Sequence, residues 1–191
     1  MKMPRIRLKS LDWHPYIEPV EIASATAEQL SAMKVTPSGG KISSYVRTLA
    51  HDPESYLART ELFNTIMYVE GGLRQQDREL GALGASLQNG CRYCSVVHAQ
   101  RQAKHAGSSD TIAAIMQERE DALSPRDAAI LTFARALSVT PPEANAKHIA
   151  ELREVGMDDL EILDLIHAIA IFGWANRLMH VLGHAETKAG A

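Results

Sequence analysis

The stretch Leu87-Gln88-Asn89-Gly90-Cys91-Arg92-Tyr93-Cys94 decides how this chain is read. Asn89-Gly90 is a helix-ending pair, so the leucine-rich segment before it and the cysteine segment after it read as two helices joined by a minimal turn. Backwards from the turn, Leu73, Leu80, Leu83 and Leu87 fall within one stripe, which predicts a helix over about residues 74–88. Forwards, the pattern predicts a helix over about 91–106 that stops at Gly107. Helices linked this tightly are neighbours, so side chains of the first come within reach of the cysteines of the second.

The same reading extends along the chain. Thr26 caps a short helix through Met33, and residues 42–51 read as helical. Asp52-Pro53 starts a helix to about Tyr68, with Asp as cap and Pro in the first turn. Further helices are predicted near 109–119, from Ser124-Pro125 to Ser138, near 143–155, and over 158–171 with Asp158 and Glu161 as a capping box. Gly173 reads as a break before a last helix ending near His184. Thr36-Pro37-Ser38-Gly39-Gly40 reads as a loop, and residues 1–22 as an extended, proline-containing arm. No run of alternating β-branched residues appears, so the expected class is all-α. The expected organisation is an arm and short helix over 1–41, then one all-helical domain over 42–191. The spacing from Gly90 to Gly107 recurs from Gly173 to Gly190, a hint of an internal helical duplication.

With 191 residues, 46% apolar and 23% charged, the chain has the composition of an ordinary globular domain. A net charge of −3 without a Lys/Arg stripe argues against nucleic acid, and Arg5, Arg7 and Lys9 read as solvated. Leu165 to Asn176 is apolar but well short of the roughly 20 residues that span a bilayer, so it reads as a buried helix with no membrane role. Charged residues follow Met1 where a secretory signal would be apolar, which leads to an expected cytoplasmic location. In that compartment a lone cysteine pair is catalytic or metal-binding rather than a structural staple.

At about 100° per residue, Cys91, Cys94, His98, Arg101 and His105 share one helix face, while Val96, Ala99, Ala103 and Ala106 form the opposite one. Glu79, twelve residues before Cys91, lies at the edge of the leucine stripe and is expected in a boundary crevice. A thiol is a nucleophile as thiolate, which a helix N-terminus and a nearby imidazolium favour. Cys94, in the first turn beside His98, is therefore the expected attacking sulfur. Cys91 is placed to resolve a sulfenic acid by forming a disulfide, with Glu79 and His98 moving protons. His105 reads as an exposed residue near the helix end; Tyr93 and Trp174 read as packing residues. Zinc fails because one straight helix cannot wrap four ligands around an ion, with His105 about 16 Å along the axis from Cys94. A thioredoxin-type domain fails for lack of a βαβ setting.

Arg78-Glu79, then Cys91-Arg92-Tyr93-Cys94, then His98, with Gly107 closing the helix, resembles the AhpD-like alkylhydroperoxidases of the carboxymuconolactone decarboxylase superfamily. Leu123-Ser124-Pro125-Arg126-Asp127 and an apolar helix carrying Asn176-Arg177 extend the likeness over about residues 42–184, and the longer N-terminal part is similar to the peroxidase-related subgroup. The resemblance implies an AhpD-like helical bundle, a homo-oligomer such as a trimer or hexamer, and a cysteine-dependent peroxidase. It assigns the proton relay to Glu79 and His98, the resolving role to Cys91 and the peroxidatic role to Cys94. It implies no bound cofactor and an external thiol reductant, lipoyl or another dithiol, whose identity the sequence does not name. Tyr93 stands where such peroxidases often carry a second histidine. Three other readings stay open: a thiol–disulfide oxidoreductase or redox sensor, an acid–base enzyme like the decarboxylases, and a non-catalytic oligomeric scaffold.

Overall fold

Capping side chains set most of the helix starts in the computed structural model, which describes residues 11–34 and 42–187. The Thr36–Gly40 loop, the three basic residues near the start and Gly190 lie outside the described residues. The helices are α1 (Ala27–Lys34), α2 (Ser44–Leu49), α3 (Pro53–Tyr68), α4 (Gln75–Gln88), α5 (Arg92–Ala106), α6 (Asp110–Met116), α7 (Pro125–Ser138), α8 (Ala146–Glu154) and α9 (Asp159–Leu182). Asp52 accepts the Ser55 amide to start α3, and Ser124 accepts the Asp127 amide to start α7, each followed by the proline that needs no amide partner. Asp158 and Glu161 form the reciprocal box that starts α9. The fold is all-α, with one small two-stranded ribbon.

Helix α4 is the centre, packed by α5, α7 and α9. Leu80 and Leu83 meet Ile130 and Leu131 of α7 and Leu165 and Ile169 of α9 in the main core. Close approach is built into α4. A Cβ on Gly81 would lie 2.8 Å from Leu165 Cδ1, and one on Gly84 would lie 2.6 Å from Ala134 Cβ. Charges buried on α4 are paired: Arg78 binds Asp164 at 2.9 Å, and Arg126 bridges Asp77 at 2.9 Å and Glu161 at 2.8 Å. Removing the partner of a buried charge typically costs about 3–5 kcal/mol, because the charge left behind has no counter-ion.

Two expectations are corrected. Gly173 breaks nothing: α9 is one helix of 24 residues. A glycine inside a helix costs only about 1 kcal/mol against alanine, and buried Ile171, Phe172, Ala175 and Asn176 hold both sides of it in place. At that length α9 is long and apolar enough to cross a membrane, yet half of its apolar window is buried inside the bundle. The second correction is at the chain's ends. Leu11–Pro15 (β1) pairs antiparallel with Gly183–Thr187 (β2), Trp13 opposite Ala185, so His184 lies in a strand rather than a helix. The stretch after Gly173 is thus helix then strand, unlike the continuous α5, and the described part of the supposed second copy does not share the first copy's structure.

Candidate active site

The turn between α4 and α5 delivers the cysteines. Gly90 adopts φ +71°, a conformation glycine takes freely, and Cys91 becomes the N-cap of α5. Its amide donates to the Ser86 carbonyl at 2.9 Å, and its carbonyl accepts the Ser95 hydroxyl at 2.9 Å. Cys94 and His98 follow on the same face of α5, both buried.

His98 donates through Nδ1 to Glu79 Oε2 at 2.6 Å; a carboxylate accepts only, which fixes this tautomer. Gln75 donates to the other carboxylate oxygen at 3.3 Å, and the His98 ring stands edge-on to Phe172 with centroids 4.4 Å apart. Glu79 is fully buried, not in a boundary crevice, because α4 is wrapped by other helices and every residue from Asp77 to Leu87 is buried. Burial pushes its carboxyl upward. The His98 hydrogen bond and charge, with Arg101 and Gln75, outweigh that and hold it below the usual carboxylate value.

Cys91 and Cys94 are both free thiols, hydrogen-bonded to each other. The Cys94 thiol donates to Cys91, which lowers the Cys91 pKa against the opposing effect of burial. The backbone amides of Cys94 and Tyr93 and the Asn176 side chain lower it further. Cys94 is correspondingly pushed well up by its bond to Cys91, by burial and by the Cys91 charge, with Asn176 and Arg59 opposing. A thiolate is therefore favoured on Cys91 over Cys94, whereas the sequence reading favoured it on Cys94. One proton transfer along the S–H···S contact exchanges the two.

The sulfurs line different cavities. Cys94 and His98 line one of ≈ 180 Å³ together with Tyr45, Arg59, Tyr68, Tyr93 and Arg101. Cys91 lines another of ≈ 240 Å³, between the β-ribbon, Tyr93 and His180. A larger apolar groove of ≈ 610 Å³ between α3 and α9 touches none of the four expected site residues. Among the described residues no group of three His, Cys, Asp or Glu side chains is arranged to hold a metal.

Glu79, Cys91, Cys94 and His98 thus come together. His105 is exposed, as expected, and Arg101 donates to the Tyr68 hydroxyl at 2.6 Å. Tyr93 lines both sulfur cavities rather than only packing, and Trp174 is 44% exposed. Sequence reasoning missed four participants: Asn176, hydrogen-bonded to both sulfurs; Trp13, packed on them with Met179; and Tyr45 and Arg59 in the Cys94 cavity. Of these only Asn176 carried a signal, as a buried polar residue in an otherwise apolar helix.

A family model described as the carboxymuconolactone decarboxylase family matches residues 53–136. Among solved structures, the chain is similar to an alkylhydroperoxidase AhpD core, a peroxidase-related protein of Ralstonia eutropha JMP134. Identity is 25%, the match covers 88% of this chain and 90% of that one, and the TM-score is 0.76. A peroxidase-related protein of Silicibacter sp. TM1040 matches at 22% identity over 88% of this chain and 91% of that one, TM-score 0.71. The debrominase Bmp8 shares the fold at 20% identity, 86% and 88% coverage and TM-score 0.71. No curated protein gives a match.

Proposed function

The chain belongs to the AhpD/carboxymuconolactone decarboxylase superfamily, and on that footing we propose that it is a cysteine-dependent peroxidase reducing hydrogen peroxide or organic hydroperoxides. The observation that carries this reading is one cavity lined by both Cys94 and His98, with the Glu79 carboxylate directly behind the imidazole.

In this proposal the cavity-facing Cys94 gives up its proton, to Cys91 or to His98, and its sulfur attacks one peroxide oxygen. The S–O bond forms as the O–O bond breaks, and the leaving alkoxide or hydroxide takes a proton to depart as alcohol or water. Glu79 supports this by stabilising the imidazolium formed when His98 takes a second proton on Nε2. Cys91, whose negative charge is favoured at the start of α5, then displaces the sulfenic oxygen of Cys94 as water and forms a disulfide. Two electrons from an external dithiol, lipoyl or another, return the pair to thiols.

Cys94→Ser is expected to lose peroxide consumption. Cys91→Ser is expected to stop after one turnover with a sulfenic acid on Cys94 that dimedone traps, read by mass spectrometry of the tryptic peptide. Consumption by Cys94→Ser at the wild-type rate removes the proposal. Mixed disulfides with thiol partners, without any sulfenic acid, replace it with thiol–disulfide exchange.

A further inference from the structure

The Cys94 cavity carries more positive charge and more unused hydrogen-bonding capacity than hydrogen peroxide requires. Arg59 and Arg101 both line it, in a chain of net charge −3. Arg47, Arg74, Arg78, Arg126, Arg135 and Arg153 each pair with a carboxylate. Arg59 has no carboxylate within ion-pair distance among the described residues. Its guanidinium lies 4.3 Å over the Phe63 ring, and its Nε is shielded from solvent without a hydrogen-bond partner. Tyr45 lines the same cavity, and its hydroxyl is likewise sequestered and unpartnered among the described residues. A buried donor left unpaired costs about 1–3 kcal/mol, and an anionic occupant relieves that cost by drawing these two side chains onto itself. Desolvation also pushes the Tyr45 phenol well up, which keeps it a neutral donor at working pH.

Size limits the occupant. A cavity of about 150 Å³ with apolar walls takes up benzene. At ≈ 180 Å³, with Phe63 and Phe172 among its walls, this one admits a single ring with short substituents and not a long acyl chain. We infer that the cavity selects a small organic anion, a hydroperoxide bearing a carboxylate on a short aromatic or aliphatic body, with the carboxylate held by Arg59 and the Tyr45 hydroxyl. The hydroperoxide half of this inference rests on the peroxidase reading; the carboxylate half rests on the cavity alone.

The two halves are tested separately. Binding of 4-isopropylbenzoate and of its neutral amide, neither of which contains an O–O bond, is measured by calorimetry on the reduced protein. The acid is expected to bind at least tenfold more tightly, with that preference lost in Arg59→Gln and largely restored in Arg59→Lys. Turnover of cumene hydroperoxide bearing a para-carboxylate is compared with turnover of cumene hydroperoxide. The ratio of kcat/KM is expected to favour the acid at least tenfold and to collapse in Arg59→Gln. Equal binding of acid and amide by the wild-type protein overturns the inference without any variant having to fold. An acid preference unchanged in Arg59→Gln overturns it as well. Acid-selective binding with no peroxide turnover sinks the peroxidase reading and upholds the anion site; turnover without acid preference does the reverse.

Discussion

At the scale of single residues the site is built around an acid and an imidazole 2.6 Å apart with no water-exposed surface on the acid. Because the Glu79 carboxyl is held below its ordinary value, the stability it confers is fully present above the unfolded carboxyl pKa of about 4.3. It is lost as pH falls through the lower folded value. Glu79→Gln keeps the shape and an acceptor for His98 but loses the charge. It is expected to destabilise by about 1–3 kcal/mol at neutral pH. The gap to wild type should narrow below about pH 4, read from urea midpoints across that range. Peroxide turnover is expected to fall by about 10²–10⁴. A stability gap that stays constant as pH drops contradicts the ionic pairing. The four expected site residues were legible because they sit within twenty positions on two helices joined by a two-residue turn. Tyr45 and Arg59 were not, because they arrive from distant helices as residue types common on any surface, and Asn176 offered only its polarity within an apolar stretch.

At the scale of elements, the caps were legible, as were Gly90 and Gly107 as helix ends, but the part played by Gly173 was not. Asp52-Pro53, Ser124-Pro125 and Asp158 to Glu161 mark helix starts by local chemistry that needs no knowledge of the rest of the fold. Whether a glycine ends a helix or lets a neighbour approach depends on what packs there. A Cβ on Gly173 would meet only Arg177 Nη1, at 3.6 Å, so Gly173→Ala is expected to stabilise by up to about 1 kcal/mol. Gly81→Ala and Gly84→Ala press a methyl onto Leu165 and Ala134 and are expected to cost about 1–3 kcal/mol each. Thermal unfolding of the three variants checks this ordering, and a stabilised Gly84→Ala would mean that α7 has room to retreat. The β-ribbon escaped notice because Leu11 and Trp13 alternate with Asp12 and His14 over only five residues, too short a run to stand out.

At the scale of the whole molecule, that ribbon fastens the start of the described chain to its end and covers the sulfurs. Trp13 is 8% exposed, packs with Cys91, Cys94 and Met179, and donates from its indole to the Met179 carbonyl at 3.4 Å. Gly183 permits this closure, since any side chain there would collide with the Trp13 ring and the His14 carbonyl. Trp13→Ala is expected to cost about 3–5 kcal/mol and to speed alkylation of both thiols by iodoacetamide at neutral pH. Unchanged alkylation would mean that the ribbon does not shield them. None of this long-range closure was visible in the sequence, whose bundle class and helix order were.

The placement of the two sulfurs on separate cavities has an outcome for traffic through the molecule. Once oxidised, the pair becomes a partition between two chambers, one entered past phenols and guanidinium groups, the other from beneath the ribbon. On the proposed chemistry the oxidant meets Cys94 from the first, which leaves the side of Cys91 that faces the second free of the departing alcohol.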